Sequence, residues 1–267
     1  MKHLRIIKMC EYINQKEQVS FEDLQRVFNV SLNTIRKDVA LLIADGKANK
    51  IYGGVCAKEN HVNSITYNQL AVDNVIAKDY ICSLVAKLIN NGDTIFIDSG
   101  NTVRNIFKFL QNKRNITIVT HNVYLMYDGM EYDTVNMFAL GGMLNRKTAS
   151  FVGNAAINRL ETLNINKAFI CASGISNTGN VSNLIVAETS IKKQAMMRSA
   201  TNYLLVDSSK FGEISLNIFA NAKEFDYIIT EKTPPQEYID YFNYNNINCI
   251  YSFSDLKGDK WNYSWNY

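Results

Sequence analysis

The chain has 267 residues, 47% of them hydrophobic and 20% charged, with a net charge of +3 at neutral pH. That balance suits a folded protein of one or two domains and excludes low-complexity and collagen-like chains. No apolar run approaches the roughly eighteen residues of a membrane span, and the basic start MKHLRIIKMC has no apolar core of signal-peptide length, so a cytoplasmic protein with no membrane partner is expected.

The charge is uneven. Residues 1–58 hold ten Lys and Arg against six Asp and Glu, a net +4, and the remainder carries a net −1. Within the basic part, Ser20 is placed to cap a helix with Asp23 three residues on, followed by Leu24, Val27 and Phe28 at helical spacing. Asn29-Val30-Ser31 breaks the pattern, and Ser31 can cap a second helix whose Leu32, Ile35, Val39 and Leu42 form one apolar stripe. At 100° per residue, Asn33, Lys37 and Ala40 point away from that stripe, with Thr34 and Arg36 on its shoulders. Short polar groups and cations on the first turns are what a helix needs to meet base edges and phosphates in a major groove. Asp45-Gly46 signals a stop, and Lys47 to Gly54 then reads as a hairpin whose Lys47 and Lys50 suit backbone phosphates.

Residues 58–74 are polar with scattered apolar positions and read as a linker. Beyond them helices alternate with β-rich runs. The expected elements are a helix near 75–90, strand Thr94–Ile97, a helix over 102–111, strand Thr117–Thr120, strand Val135–Leu140 and a helix over 154–164. Strand Ala168–Ala172, a helix over 188–200, strand Tyr203–Asp207 and strand Tyr227–Thr230 follow. Such alternation predicts an α/β fold with a largely parallel sheet, in which ligands bind outside the carboxyl ends of the strands. At one such end, Asp98-Ser99-Gly100-Asn101-Thr102 offers small residues whose backbone N–H groups can converge on an anion. It is not a Walker A loop, because G-x-x-x-x-G-K-[ST] is absent. Thr120-His121-Asn122, Gly141-Gly142 and Asp207-Ser208-Ser209-Lys210-Phe211-Gly212 stand at later strand ends.

Two sets of residues together resemble one family. Val30-Ser31-Leu32-Asn33-Thr34-Ile35-Arg36-Lys37-Asp38-Val39, with Leu42, Gly46 and Tyr52-Gly53-Gly54, is similar to the winged helix-turn-helix of the DeoR family of bacterial sugar regulators, with Tyr52 where the family often has His. The strand-end segments, with Phe151-Val152-Gly153, resemble that family's effector domain in the same order. The resemblance covers residues 1 to about 230 and implies a winged helix-turn-helix over 1–57 and an effector domain over 75–267 akin to sugar-phosphate isomerases and coenzyme A transferases. It implies a transcriptional regulator, with repression the expected sense, whose partners are double-stranded operator DNA and a phosphorylated sugar or sugar alcohol. For DNA it points to Ser31, Asn33, Thr34, Arg36, Lys37, Lys47, Lys50 and Tyr52. For the effector it places Ser99, Gly100, Asn101 and Thr102 on the phosphate with Lys210 as a point charge, and Asp98, Asp207 and Glu188 on sugar hydroxyls, beside His121, Asn122, Gly141 and Gly142. Asn101 replaces the usual Thr or Ser, and His121-Asn122 the usual Asn-Ser, both of which bear on which effector fits.

Some readings stay open in the sequence. Asp207 and Glu188 fit surface or helix-capping carboxylates as well as ligand contacts. An isomerase-like enzyme carrying a DNA-binding attachment stands as the second function class, since a carboxylate and a lysine beside a phosphate can support proton transfer. No cofactor is expected. His3, His61 and His121 have no ligand spacing and are expected to be ordinary satisfied or solvent-facing histidines, so no metal is expected either. Cys10, Cys56, Cys82, Cys171 and Cys249 are odd in number without a C-x-x-C pair, which predicts small apolar roles rather than disulfides. A homo-oligomer is expected because repressors commonly join two half-sites. The ending WNYSWNY reads equally as a subunit contact or a loosely ordered terminus.

Overall fold

The computed structural model describes residues 2–16, 18–45, 47–57 and 74–257. The stretch 58–73 of the expected linker and the WNYSWNY ending lie outside the described residues. The chain separates into two compact units, Met1–Ser64 and Ile65–Tyr267.

The first unit runs α1 (Lys2–Lys16), β1 (Gln18–Ser20), α2 (Phe21–Phe28), α3 (Leu32–Ala44), β2 (Ala48–Ile51) and β3 (Gly54–Ala57). Ser20 caps α2 by accepting from the Asp23 N–H at 3.0 Å, and Ser31 caps α3 by accepting from the Thr34 N–H at 3.3 Å. Between them Asn29 takes a left-handed conformation (φ 50°), which ends α2 and turns the chain into α3. The strands form an antiparallel sheet in the order β1-β3-β2, with β2 and β3 making the wing. Met9, Ile13, Leu24, Ile35, Val39, Leu42 and Val55 fill one small core, each side chain contributing about 1.5–3 kcal/mol of burial. One member of the stripe differs from expectation. Leu32 is only half-buried, and the inward place between Ile35 and Leu42 is taken by Asp38, whose carboxylate accepts from Arg5 Nε at 2.8 Å. Leu32 sits on the first turn, past the edge of the core, whereas Asp38 lies three residues after Ile35 on its face.

The second unit is an α/β domain. It contains α4 (Val75–Leu88), β4 (Thr94–Ile97), β5 (Ile116–Thr120), α5 (Val123–Gly129), β6 (Val135–Ala139), β7 (Met143–Asn145), β8 (Ser150–Val152), α6 (Asn154–Glu161) and β9 (Ile165–Cys171). After these come β10 (Gly174–Ile175), β11 (Asn180–Asn183), α7 (Val186–Met197), β12 (Ser199–Leu205), β13 (Asn217–Asn221), β14 (Tyr227–Ile229), α8 (Gln236–Tyr244) and β15 (Asn248–Ile250). Seven strands form a parallel sheet in the order β15-β14-β12-β9-β4-β5-β6. Alternate residues supply its two faces. Ile95 and Ile97 pack with Ile81, Leu84 and Val85 of α4, whereas Phe96 packs with Ala156, Leu160 and Ile191 of α6 and α7. This two-sided burial is why the strands read as continuous apolar runs.

The order of construction fixes where a ligand site belongs. From β4 the chain builds outward through β5 and β6, then returns to lay β9 on the other side of β4 and builds outward through β12, β14 and β15. The reversal lies between β4 and β9, and the crevice beyond their carboxyl ends is the topological switch point of the sheet.

The helix expected over 102–111 is instead two 3₁₀ turns, Asn101–Val103 and Ile106–Phe109. β-branched Thr102 and Val103 and the short amide Asn105 are weak helix formers, and Asn105 Nδ2 is drawn 2.6 Å from Asp79 Oδ1. A turn this short has no appreciable dipole, so it offers an anion individual N–H groups but no helix end. The hairpin β7–β8 and a small antiparallel sheet, β10-β11-β13, have no counterpart in the sequence reading, because β7, β8 and β10 have only two or three residues and β11 and β13 begin and end on Asn, a residue depleted in strands.

Candidate functional site

In the first unit, the exposed side of α3 carries Asn33, Arg36, Lys37 and Ala40, with Thr34 half-buried and Ser31 exposed at the cap. Ser31 Oγ lies 2.9 Å from Thr34 Oγ1. Arg36 leans over the Phe21 ring of α2, 6.0 Å from its centroid, which orients the guanidinium without neutralising it. On the wing, Lys50 and Tyr52 are exposed, and Tyr52 stands at the tip of the turn. Gly53 makes that turn with φ +70°, and Gly54 lets β3 approach the Val19 carbonyl of β1 more closely than any side chain allows. Lys47 is also exposed, 3.3 Å from Asp45 Oδ2. Exposed cations thus stand on both α3 and the wing.

In the second unit, the loop after β4 meets the loop after β9 at the switch point. Asp98 accepts from the Cys171 N–H at 2.9 Å through Oδ2, and a Cβ on Gly100 would collide with the Cys171 side chain, so glycine is required for the two loops to touch. Helix α7 adds two residues one turn apart. Lys192 Nζ pairs with Asp98 Oδ2 and donates to the Cys171 carbonyl at 3.0 Å. Glu188 Oε1 accepts from Ser99 Oγ at 3.0 Å and from Ser150 Oγ of β8 at 2.8 Å, and its Oε2 accepts from Asn183 Nδ2 of β11 at 3.3 Å. From the end of β5, Asn122 donates Nδ2 to the Ser99 carbonyl at 3.2 Å and caps α5 by accepting from the Leu125 N–H at 3.1 Å. All of these side chains are buried.

His121 lies in the same cluster. Its ring stacks on Phe96, with centroids 5.7 Å apart and planes 9° apart, and its Nε2 is 3.7 Å from Asp98 Oδ1. It is therefore neither solvent-facing nor satisfied, contrary to the expectation for a lone histidine. Both ring nitrogens, Asp98 Oδ1 and Asn101 Oδ1 are buried without a hydrogen-bond partner, and these account for four of the five such side-chain atoms among the described residues. Protein interiors seldom leave such groups unmade, and their concentration at a switch point makes this cluster the candidate site for another molecule's polar groups.

Charges in the cluster reinforce one another. Burial alone would raise the Asp98 pKa, but Lys192 and then His121 outweigh it and hold the carboxyl below its usual range. Burial pulls the other way on Lys192, where Asp98 and Glu188 keep the ammonium protonated with a raised pKa. Burial dominates at His121 and depresses its pKa, although Asp98 and Glu188 oppose the shift, so the imidazole is neutral. A neutral imidazole has one donor and one acceptor nitrogen, which matches a hydroxyl group.

The structure thus joins Asp98, Ser99, His121, Asn122 and Glu188, and adds Lys192, Ser150 and Asn183, which sequence reasoning missed. For Lys192 a signal existed: Glu188, Ile191, Lys192 and Ala195 share the buried face of α7, so an oppositely charged i, i+4 pair sits inside an apolar stripe. Ser150 and Asn183 reach the site through the short strands β8 and β11 and gave none. Glu188 is not a surface or capping carboxylate. Asp207 is a cap, its Oδ1 accepting from the Ser209 N–H at 3.0 Å and from Ser209 Oγ. It opens a 3₁₀ turn, Ser208–Lys210, after β12, with Lys210 half-buried. Gly141 (φ +70°) and Gly142 (φ +120°) form the turn from β6 into β7. Among the described residues, no hydrogen bond or ion pair links Asp207, Lys210, Gly141 or Gly142 to the buried cluster. The N–H groups of Gly100, Asn101 and Thr102 likewise have no acceptor among the described residues. Of the cysteines, Cys82 and Cys171 are buried, the other three are half-exposed, and none of the five is in a disulfide.

Comparison with known proteins adds two family matches. Residues 5–61 match the DeoR-like helix-turn-helix domain, and residues 73–232 match the DeoR C terminal sensor domain. The chain is 34% identical to the HTH-type transcriptional regulator IolR of Bacillus subtilis (strain 168), over 92% of its own length and 98% of that protein's. It is 25% identical to the HTH-type transcriptional repressor GlcR of the same organism, over 94% of this chain and 96% of that one. With the glycerol-3-phosphate regulon repressor of Escherichia coli (strain K12) it shares 28% identity, over 85% of this chain and 90% of that one. Among solved structures, ribose 5-phosphate isomerase A from Neisseria gonorrhoeae aligns with 57% of this chain and 56% of its own, at 15% identity and a TM-score of 0.37.

Proposed function

Because this chain belongs to the DeoR family of transcriptional regulators, we propose that it represses a sugar or sugar-alcohol catabolic operon and that a phosphorylated sugar modulates its hold on the operator. In this reading residues 1–57 form the DNA-binding domain and residues 75–267 the sensor. The observation that carries the sensor half is the set of buried, unpartnered polar atoms on Asp98, Asn101 and His121 at the switch point. A polyol is a ligand of many hydroxyls, and each of these atoms lacks what a hydroxyl provides. The phosphate goes to the N–H groups of Gly100, Asn101 and Thr102, with Lys210 as a point charge. Asp98, His121 and Glu188 take hydroxyls, Ser99 and Asn122 hold the loop, and Gly141, Gly142 and Asp207 shape the surrounding turns.

On the DNA side, Asn33, Thr34, Arg36 and Lys37 of α3 enter the major groove, and Ser31, Lys47, Lys50 and Tyr52 hold the backbone. Two half-sites are joined by a homo-oligomer. We read the sensor as a binding site and not as an isomerase. Lys192 is held protonated by Asp98 and Glu188 and so is no proton acceptor, and the family that residues 73–232 match is a sensor domain of regulators.

Calorimetric titration of the full chain with phosphorylated polyols and aldoses, each beside its unphosphorylated form, tests this reading. A phosphorylated member should bind at least tenfold more tightly than its counterpart, and Glu188→Gln should weaken it. Equal affinity for the two forms removes the phosphate assignment, and conversion of the ligand in the same mixture removes the regulator-only reading.

A further inference from the structure

Outside both sites, the segment Ile214-Ser215-Leu216-Asn217-Ile218-Phe219 alternates in an inverted sense. Its polar residues are half-buried: Asn217 turns inward and donates Nδ2 to Thr189 Oγ1 of α7 at 3.0 Å, and the Ser215 backbone N–H donates to Ser182 Oγ at 2.9 Å. Ile214, Leu216 and Ile218 turn outward into solvent. On the neighbouring strand the ladder pairs Asn183 with Asn217 and Ser182 with Ile218, so Leu184 lies opposite Leu216 when the register is continued by one residue. Val186 follows at the start of α7. These five aliphatic side chains are each 53–76% exposed, and together they present on the order of 500 Å² of apolar surface, the size of a functional patch on a monomer. Glu213 is the one charged residue between Lys210 and Asn221. The strand β13 at the edge of the small sheet also has no partner on its outer side among the described residues.

We propose that this face docks a second copy of the chain across a twofold axis. A twofold interface sets one patch against itself, so it must be self-complementary, and a nearly uncharged aliphatic face is complementary to its own image without opposing like charges. The area is of the right order. A standard interface covers about 800 Å² on each partner, and an apolar centre of on the order of 500 Å² inside it matches the more apolar character of homodimer interfaces. The patch also adjoins the candidate effector site in the chain: Leu184 and Val186 lead into Glu188, and Ile214 follows closely after Lys210. A docked copy therefore rests on both segments that flank the site. This surface gives the proposed oligomer its contact and depends on neither the operator nor the effector.

Sedimentation velocity of the full chain at micromolar concentration tests it with Leu216→Asp, Leu184→Lys and Met143→Asp. Met143 is an exposed apolar residue on β7, away from the patch in the chain. The expected result is a wild type of dimeric or larger mass, a mass at least halved in Leu216→Asp and in Leu184→Lys with circular dichroism unchanged, and wild-type behaviour for Met143→Asp. A monomeric wild type overturns both the oligomer and its surface, including the case where another part of the same chain covers the patch. An oligomeric wild type whose mass survives both patch variants, or falls only with Met143→Asp, overturns the surface alone. If Leu216→Asp loses its circular dichroism, the Leu184→Lys result decides.

Discussion

At the scale of single residues, Lys192 is the buried cation of the cluster in the second unit. It is fully buried, and its charge is offset by Asp98 and by Glu188. Removing one member of a buried pair leaves the other charge uncompensated, so Lys192→Met should destabilise the second unit by about 3–5 kcal/mol, read as a lower midpoint in chemical unfolding. Asp98→Asn in the same background should recover part of that loss, and a Lys192→Met midpoint equal to wild type would show that the pair is not buried in solution. His121 gives a pH signature. Its pKa is depressed in the folded state, so its neutral form contributes stability above the ordinary histidine pKa of about 6.5, and that contribution is lost as pH falls through and below it. Asp98, also depressed, loses its contribution only in the acid range below the ordinary carboxylate pKa, and Lys192, raised, loses its contribution only when pH climbs past the ordinary lysine pKa. The thermal midpoint should therefore drop first between pH 7 and pH 5, and His121→Asn should flatten that drop. An identical acid limb in the variant would remove His121 from the account.

Elements show what the sequence does and does not disclose. The strand Thr94–Ile97 and both N-capping serines were legible because a strand buried on both faces and a Ser-x-x-polar cap have short-range signatures. The chain from 102 to 111 reads as a helix in sequence because its apolar residues keep helical spacing, while its Thr, Val and Asn residues favour the tighter turns that the structure has. The site was legible to the extent that it lies at ends of the apolar strands of the parallel sheet, β4 and β5, where Asp98, Ser99, His121 and Asn122 sit. Of its remaining members, Ser150 comes from a three-residue strand that carries no local pattern, whereas Lys192 is signalled only by its i, i+4 pairing with Glu188 on an apolar helix face that ordinarily excludes charge. On the DNA side, α3 and the wing separate two kinds of contact. Arg36→Ala should cost about 1–3 kcal/mol on operator and much less on random duplex, because a base-edge contact is lost. Lys50→Ala should weaken both duplexes alike and reduce the salt dependence of binding. Fluorescence anisotropy on the two DNAs at several salt concentrations distinguishes these outcomes, and an unchanged operator affinity in Arg36→Ala would take α3 out of the groove.

For the whole molecule, the proposed function requires that a ligand event in residues 75–267 changes a binding event in residues 1–57. Thermodynamic linkage limits that effect to the difference in effector affinity between the free and DNA-bound states. A coupling of about 1–3 kcal/mol changes operator affinity roughly five- to 150-fold. Lys210→Ala tests the phosphate end of this coupling. It removes a half-exposed cation while leaving α3 and the wing untouched, so the variant should bind operator as wild type does and respond poorly to effector. In a cell, that combination gives a gene set that cannot be induced. The most direct measurement is an operator titration of wild type and Lys210→Ala, each without ligand, with a phosphorylated sugar that binds the wild type, and with its unphosphorylated form. The account predicts a shift of operator affinity in wild type with the phosphorylated sugar alone, and little or no shift in the variant. Equal shifts with both sugars, or a variant that responds as fully as wild type, would contradict it.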